Sequence, residues 1–424
     1  MLADTRPLRI PEFRRLFTAQ AITVVGAQLT VVAVPAQIYG ITGSSAYVGL
    51  TGLFGLVPLL VFGLWGGSLA DHMDRRTLLG VATLGLILSS AALAALAFAG
   101  NGNVWLLLAV YSIQQAFFAV GQPTRGAIIP RLVPAEHLAA ASSLSMTVFM
   151  AGAIAGPLLG GALIPVLGYS WLYLLDTVTL FATLWAVITL PAIPVERAAG
   201  SPPSSPGLRS VWDGLVYLRG HPVLLMSFML DLVAMVFGMP RALVPEMAHV
   251  DFGGPDEGGL AFAVLYAAMP VGAFLGGVFS GWVSRVERHG VAVAGAIVAW
   301  GLAMVGMGVA VTAAGGSAGA LLWVAAAFFV LGGAADIASA AFRTAMMQSA
   351  ATDAMRGRIQ GVFLVVVAGG PRVADVLHGA ASPTLGAGPT TALGGLLVVV
   401  LTLALARPGT PFVRYRVPLA GARG

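Results

Sequence analysis

Apolar residues come in runs of about twenty from one end of the chain to the other, broken by short polar turns. About twenty apolar residues in a helix cross a hydrocarbon core roughly 30 Å thick. Such runs fall at 14–40, 45–70, 77–99, 103–122, 138–165, 169–190, 222–247, 258–283, 290–313, 319–343, 358–380 and 385–406. Spanning strands would be shorter and would alternate in polarity, which these runs do not. A helix also satisfies its own backbone hydrogen bonds, which lipid cannot do. The pattern predicts an all-α membrane protein with twelve transmembrane helices. The longest polar insert contains Ser201-Pro202-Pro203-Ser204-Ser205-Pro206-Gly207, the composition of a linker. Leu208, Val211, Leu215 and Leu218 follow at helical spacing, as in an amphipathic helix on a membrane surface. The expected organisation is an N-terminal six-helix bundle over 1–190, a cytoplasmic linker over 191–220, and a C-terminal six-helix bundle with a short cytoplasmic tail over 221–424.

Composition sharpens this. Of 424 residues, 58% are hydrophobic and 9% charged, against about 25% charged in soluble domains. A surface with so few charges has to face lipid. Cysteine is absent, which excludes disulfides, thiol catalysis and thiolate metal sites. The net charge of +5 is a topology signal rather than a nucleic-acid one. All 22 basic residues are Arg, and with the N-terminus inside, 19 of them lie on the inner side. The other three, Arg241, Arg343 and Arg372, lie in or at the ends of spans. The outer loops hold none, and one carries Asp251, Asp256 and Glu257 instead. Trp105, Trp171 and Trp323 open spans at the outer interface, and Trp65 and Trp282 close spans at the inner one, as an aromatic belt would. The Arg-rich start leads straight into a full-length span, a retained anchor rather than a cleavable signal. The bias towards Ala, Gly and Arg suits a GC-rich bacterial genome. The expected location is the bacterial cytoplasmic membrane, with multiple passes and both termini cytoplasmic.

The second and third apolar runs are joined by Gly67-Ser68-Leu69-Ala70-Asp71-His72-Met73-Asp74-Arg75-Arg76, or G-x-L-A-D-x-x-D-R-R. The fifth run carries Gly152-x-x-x-Gly156-Pro157-x-x-Gly160-Gly161, a small-residue face for close helix packing with a proline weak point. After the fourth come Pro123-x-Arg125-x-Ala127-x-x-Pro130-x-Leu132-Val133-Pro134. The halves also echo each other: Arg125-Gly126-Ala127 corresponds to Arg343-Thr344-Ala345, and Gly67-Ser68-Leu69-Ala70 to Gly281-Trp282-Val283-Ser284, at offsets of 218 and 214 residues.

Together these stretches resemble the major facilitator superfamily of transporters, along nearly the whole chain, and most closely its branch of enterobactin-type siderophore exporters and multidrug efflux proteins. The resemblance implies two pseudo-symmetric six-helix bundles with a substrate site near the midplane between them. It implies that the 67–76 loop latches one transport conformation, with Gly67 letting spans two and eleven approach. Asp71 would pair with an Arg or a helix N-terminus, and Arg125, with Arg343 as its mirror, is the candidate partner. Arg75 and Arg76 would sit at lipid headgroups. The plain alternative is a positive-inside turn with no gating role. The Gly152, Gly156, Pro157, Gly160 and Gly161 set matches the antiporter motif of exporters, with generic tight packing as the alternative. The sequence departs from the family at Asp74, where Gly is usual, and at His72, where Arg is frequent. The fourth-span Arg motif of drug/proton antiporters is not evident.

Acids at membrane depth are expensive and mark function by default. Asp231, in span seven, lies about 13 Å from the helix start by its rise. Asp336 is in span ten, Asp375 in span eleven and Asp176 near the outer end of span six. Asp231, Asp336 and Asp375 are candidates for proton coupling. The first two are favoured because spans one, four, seven and ten line the cavity in this fold. The alternatives are structural: Asp336 pairs with Arg343 on one helix face, Asp375 forms a neutralised set with Arg372 and His378, and Asp176 serves helix packing. Gln20 and Gln28 in span one, and Gln114 and Gln115 in span four, offer a neutral hydrogen-bonding cavity wall or, equally, interhelical bonds.

No enzyme constellation emerges: there is no H-E-x-x-H, no phosphate-binding loop and no G-x-S-x-G. The expectation is a non-enzymatic secondary transporter with no catalytic residues, metal or cofactor. By resemblance it is a proton-coupled exporter of a siderophore or other amphipathic small molecule or drug, working by alternating access. A lysolipid flippase, or a facilitator or importer of another solute, is the alternative within transport. A non-transporting membrane sensor is the alternative outside it. The expected partners are a small-molecule substrate, protons and membrane lipids, with no nucleic acid. A functional monomer is usual for the family.

Overall fold

A computed structural model describes residues 4–70, 73–193, 216–255, 257–350 and 353–416. The expected surface helix at 208–218 therefore lies largely outside the described residues. Numbering only the long helices, the order is α1 (Pro11–Thr42), α2 (Ser45–Ala70), α3 (Arg75–Phe98), α4 (Val104–Leu132), α5 (Leu138–Ile188), α6 (Pro222–Phe237), α7 (Gly259–Val278), α8 (His289–Ala313), α9 (Ala320–Ala350), α10 (Asp353–Leu385) and α11 (Ala387–Leu405). There is no strand among the described residues.

Their ends follow local chemistry. Asn103 caps α4 by accepting from the Trp105 and Leu106 amides, and Pro222 opens α6 where its missing N–H costs nothing. α5 runs for 51 residues because two spans are joined without a loop. Gly168 alone makes the turn, at φ +73°, a conformation that side-chain-bearing residues rarely adopt. Among the described residues, ten segments are long and apolar enough to cross a membrane, the doubled α5 segment counting once. α10 carries Arg356, Arg358, Arg372 and Asp375 and is not among the ten. With α5 read as two passages and α10 as one, the order is consistent with twelve crossings.

The chain divides into two compact units. The first holds the chain up to Thr42 and from Phe54 to the linker. The second holds Gly43–Leu53 and everything after the linker. In the first, α1 packs along α5, and α3 packs on α4 and α5. In the second, α6 packs on α10, and α8 packs on α9 and α11. The same pairing order recurs in each, as two copies of one six-helix plan require. Large apolar side chains such as Leu88, Val166, Phe279 and Leu403 stay exposed on these helices. That is a burial problem in water and none in lipid. Trp105, Trp171, Trp282 and Trp323 are likewise at least half exposed.

The first unit is tied at one end by a mixed knot. Leu16, Leu79, Ile128 and Val187 are buried together with Leu190 and Ile193. Around them, Asp74 caps α3 through the Thr77 amide at 2.9 Å and accepts from the Ile193 amide at 2.8 Å. Asp74 thus binds the start of one helix to the turn after another, which a glycine at that place could not do. Asp74→Ala is expected to cost about 1–2 kcal/mol, from the lost cap and the orphaned Ile193 amide. A thermal melt in detergent should show a drop of several degrees, with Asp74→Asn, which keeps an acceptor, close to the parent.

Candidate functional site

Asp231 on α6 and Arg343 on α9 form a buried ion pair in the second unit, 1% and 6% exposed. Apart from this pair, neither Asp231 oxygen nor Arg343 Nε has a hydrogen-bond partner among the described residues. Each therefore depends on the other. Leu224, Ser227 and Phe228 of α6, with Arg343 and Met347 of α9, line a small cleft beside the pair, with room for about one water. Asp336 lies seven residues before Arg343 on α9, roughly 10 Å along the helix, and feels the charges of both Arg343 and Asp231. Two carboxyls and one guanidinium thus share one region. Arg343 is not at a helix end, as the mirrored latch reading expects, because α9 continues to Ala350. Nor is Arg343 the ion-pair partner of Asp336; Asp231 takes that place.

A second polar set runs along one face of α10. Asp375 Oδ2 accepts from Arg241 at 2.7 Å, a partner that the set of Arg372, Asp375 and His378 does not include. Arg372 reaches the Thr51 carbonyl at 3.5 Å. Ser382 donates to Glu246 Oε2 at 2.7 Å, and Ser45 donates to the same oxygen. Residues 43–53 approach α10 closely at Gly49 and Gly52. A Cβ there would meet the Asp375 and Arg372 carbonyl oxygens at 2.5 and 2.2 Å. Arg241, Glu246, Ser45 and Ser382 carry no motif, and only the cost of an unpaired buried carboxyl points to the need for such partners.

In the first unit, Asp176 is held by hydroxyls. Its Oδ2 accepts from Thr30 at 2.8 Å and Ser90 at 2.7 Å, while Oδ1 is buried with no hydrogen-bond partner among the described residues. Gly152, Gly156 and Gly160 face α1, where a Cβ on each would strike Val24, Gln28 and Val32 at 2.2–2.6 Å. The antiporter-like motif is thus the α5 half of a helix seam, with Pro157 and Gly161 buried beside it. Gln28 belongs to that seam. Gln114 and Gln115 are buried on α4, and Gln20 is half-buried. Gln37 of α1 accepts from the Tyr173 hydroxyl at 2.8 Å.

Of the 67–76 loop, Asp71 lies outside the described residues, so its meeting with Arg125 is not described. Gly67 falls in the last turn-and-a-half of α2. Arg75 donates to the Ala127 carbonyl at 3.1 Å and Arg76 to the Ile188 carbonyl at 2.5 Å. Arg75 thus binds within the last two turns of α4, and Arg76 binds the end of α5. The last-turn carbonyls of α5 lack intrahelical donors and carry the negative end of the helix dipole, which draws such a cation. Arg125 is half-buried within α4, which runs on to Leu132.

Comparison with known proteins places these observations. Residues 16–374 match the family model described as Major Facilitator Superfamily. The chain is similar to the enterobactin exporter EntS of Shigella boydii serotype 18, at 30% identity over 411 residues, covering 93% of this chain and 91% of the relative. It is similar to the EntS of Citrobacter koseri at 29% over 420 residues, covering 96% and 94%. Among solved structures it is similar to the nucleoside transporter NupG, with a TM-score of 0.72, 14% identity and coverage of 93% and 97%. A bacterial homologue of the iron transporter ferroportin gives a TM-score of 0.70 at 14% identity, with coverage of 94% and 99%. At such identities the structures speak for the fold alone. The helix order, the paired six-helix plan and the family match over most of the chain agree: this protein belongs to the major facilitator superfamily and is a multi-span membrane transporter of small molecules, not an enzyme.

Proposed function

We propose that the protein is a proton-coupled exporter of a siderophore or similar amphipathic small molecule. It would work as a monomer in the bacterial cytoplasmic membrane with both termini cytoplasmic, residues 191–220 connecting its two bundles. The cargo class is supported by the 30% identity to enterobactin exporters along nearly the whole chain. The observation that carries the coupling is the buried Asp231–Arg343 pair, with a second carboxyl, Asp336, about two turns before Arg343 on the same helix. With both acids ionised the set is one charge negative in a low-dielectric bundle; one bound proton neutralises it. Proton arrival and departure therefore change whether Arg343 is held by Asp231 or shared with Asp336. Asp375, already matched by Arg241, is the weaker proton carrier.

Transport in proteoliposomes with an imposed pH gradient tests this, using a catecholate siderophore, lipophilic cations and lysolipids as cargo. The parent is expected to move one cargo class outward with proton counterflow. Asp336→Asn is expected to keep the Asp231–Arg343 pair and the fold while reducing gradient-driven accumulation at least tenfold. Cargo movement in the parent without proton flux would remove the coupling and leave a facilitator.

A further inference from the structure

Span seven breaks at Gly238-Met239-Pro240. α6 ends at Phe237, and the chain resumes in short helical turns through Asp251. Pro240 lacks an amide hydrogen and biases Met239 away from helical geometry. The break leaves three successive carbonyls without helical donors. All three are caught by side chains. Trp300 Nε1, on the fully buried indole, donates to the Gly238 carbonyl at 2.9 Å. His378 of α10 lies between the other two, with Nε2 at 3.0 Å from the Phe237 oxygen and Nδ1 at 3.0 Å from the Met239 oxygen.

A carbonyl oxygen only accepts, and a neutral imidazole has a single N–H. Both contacts are hydrogen bonds only when both ring nitrogens carry protons. We propose that His378 is a proton-binding site of the second unit, held as an imidazolium between the two carbonyls of the broken span.

The surroundings fit a cation. The Phe237 carbonyl is at the negative end of the α6 dipole. Broken spans of transporters use such half-helix ends and unwound carbonyls to hold coupling ions. The charged groups on the elements around the ring are Asp353, Arg356, Arg358, Arg372 and Asp375 on α10, Asp231 on α6, and Arg241, Glu246 and Asp251 on the segment after the break. α8, α11 and residues 43–53 bring no charged side chain. The ring is 5% exposed, and burial works against its charge; the two carbonyls and the surrounding carboxylates work for it. Gly394 on α11 keeps the place open, since a Cβ there would lie 2.2 Å from the Phe237 oxygen and 2.9 Å from His378 Nε2.

Losing the proton would set a nitrogen lone pair against a carbonyl oxygen at 3.0 Å. One of the two contacts must then open, and the break in span seven loosens. Proton occupancy is thereby linked to the segment that carries Arg241 and Glu246.

The test needs neither cargo nor transport, so it fails or succeeds independently of the exporter reading. Histidine is labelled with nitrogen-15 in the purified full chain, and the ring-nitrogen shifts are recorded at pH 7. The chain has 6 His, and the His378 signal is assigned as the one missing from His378→Gln. If that variant does not fold, replacing His72, His137, His221, His249 and His289 by Gln leaves His378 alone. Both ring nitrogens are expected to show the protonated shift. Gly394→Ala is expected to shift His378 to the one-proton form at the same pH. A neutral tautomer of His378 in the parent at pH 7 overturns the proposal.

Discussion

Asp231→Asn is expected to abolish gradient-driven transport, by at least 100-fold, and to destabilise the protein as well. Arg343 would be left in the bundle with no carboxylate at its side, and breaking a buried pair by removing one partner costs about 3–5 kcal/mol. Stability loss alone could explain lost transport, so the informative comparison is the double variant Asp231→Asn with Arg343→Gln. Removing both charges removes the uncompensated one, and the melting temperature in detergent should return most of the way to the parent. Transport should not return, because the exchange of partners that a proton controls is gone. A double variant that both melts and transports like the parent would show the pair to be structural only.

Gly156→Val is expected to have the second largest effect. Even a Cβ at Gly156 would lie 2.2 Å from the Gln28 Cβ, and a branched side chain has nowhere to go. Gly152 and Gly160 meet Val24 and Val32 on the same ridge, so α1 cannot shift along α5 to relieve one contact without striking another. Overpacking of this kind costs about 1–3 kcal/mol or more. If the seam also slides or rocks during transport, transport should fall further than stability does. Gly156→Ala paired with Gln28→Gly restores the space from the other side. That double variant should recover most of the melting temperature lost in Gly156→Ala, within the roughly 1 kcal/mol that a helical glycine costs. Absence of recovery would place the constraint elsewhere than in this contact.

The architecture was legible because lipid imposes a simple rule on sequence. Twenty apolar residues and Arg-rich inner turns predict spans and their count, and the helices follow that order. The boundaries were less so. Arg125 read as a loop residue and Arg343 as the end of its span because charge usually ends a span, yet α4 and α9 continue past them to Leu132 and Ala350. The acids were legible as singular residues, their partners were not. Thr30 is 146 residues from Asp176 and Arg241 is 134 from Asp375. No local spacing encodes such meetings, and hydroxyls are too common to stand out. The glycines of α5 were readable as a packing face, but that Gln28 rather than a cavity lies opposite depends on how two helices are rotated, which composition does not fix.

The hydroxyl clasp around Asp176 bears on how electrical energy enters this molecule. Its carboxyl can be satisfied with its own proton in place: Oδ2 towards Ser90, and Ser90 onward to the Tyr173 carbonyl 3.5 Å away. The ion pairs described at membrane depth, Asp231–Arg343 and Arg241–Asp375, belong to the second unit. A transmembrane voltage does work only on charge that moves, about 2.3 kcal/mol per elementary charge per 100 mV. Among the described residues these buried ion pairs lie in the second unit, so a voltage that moved them would do its work there.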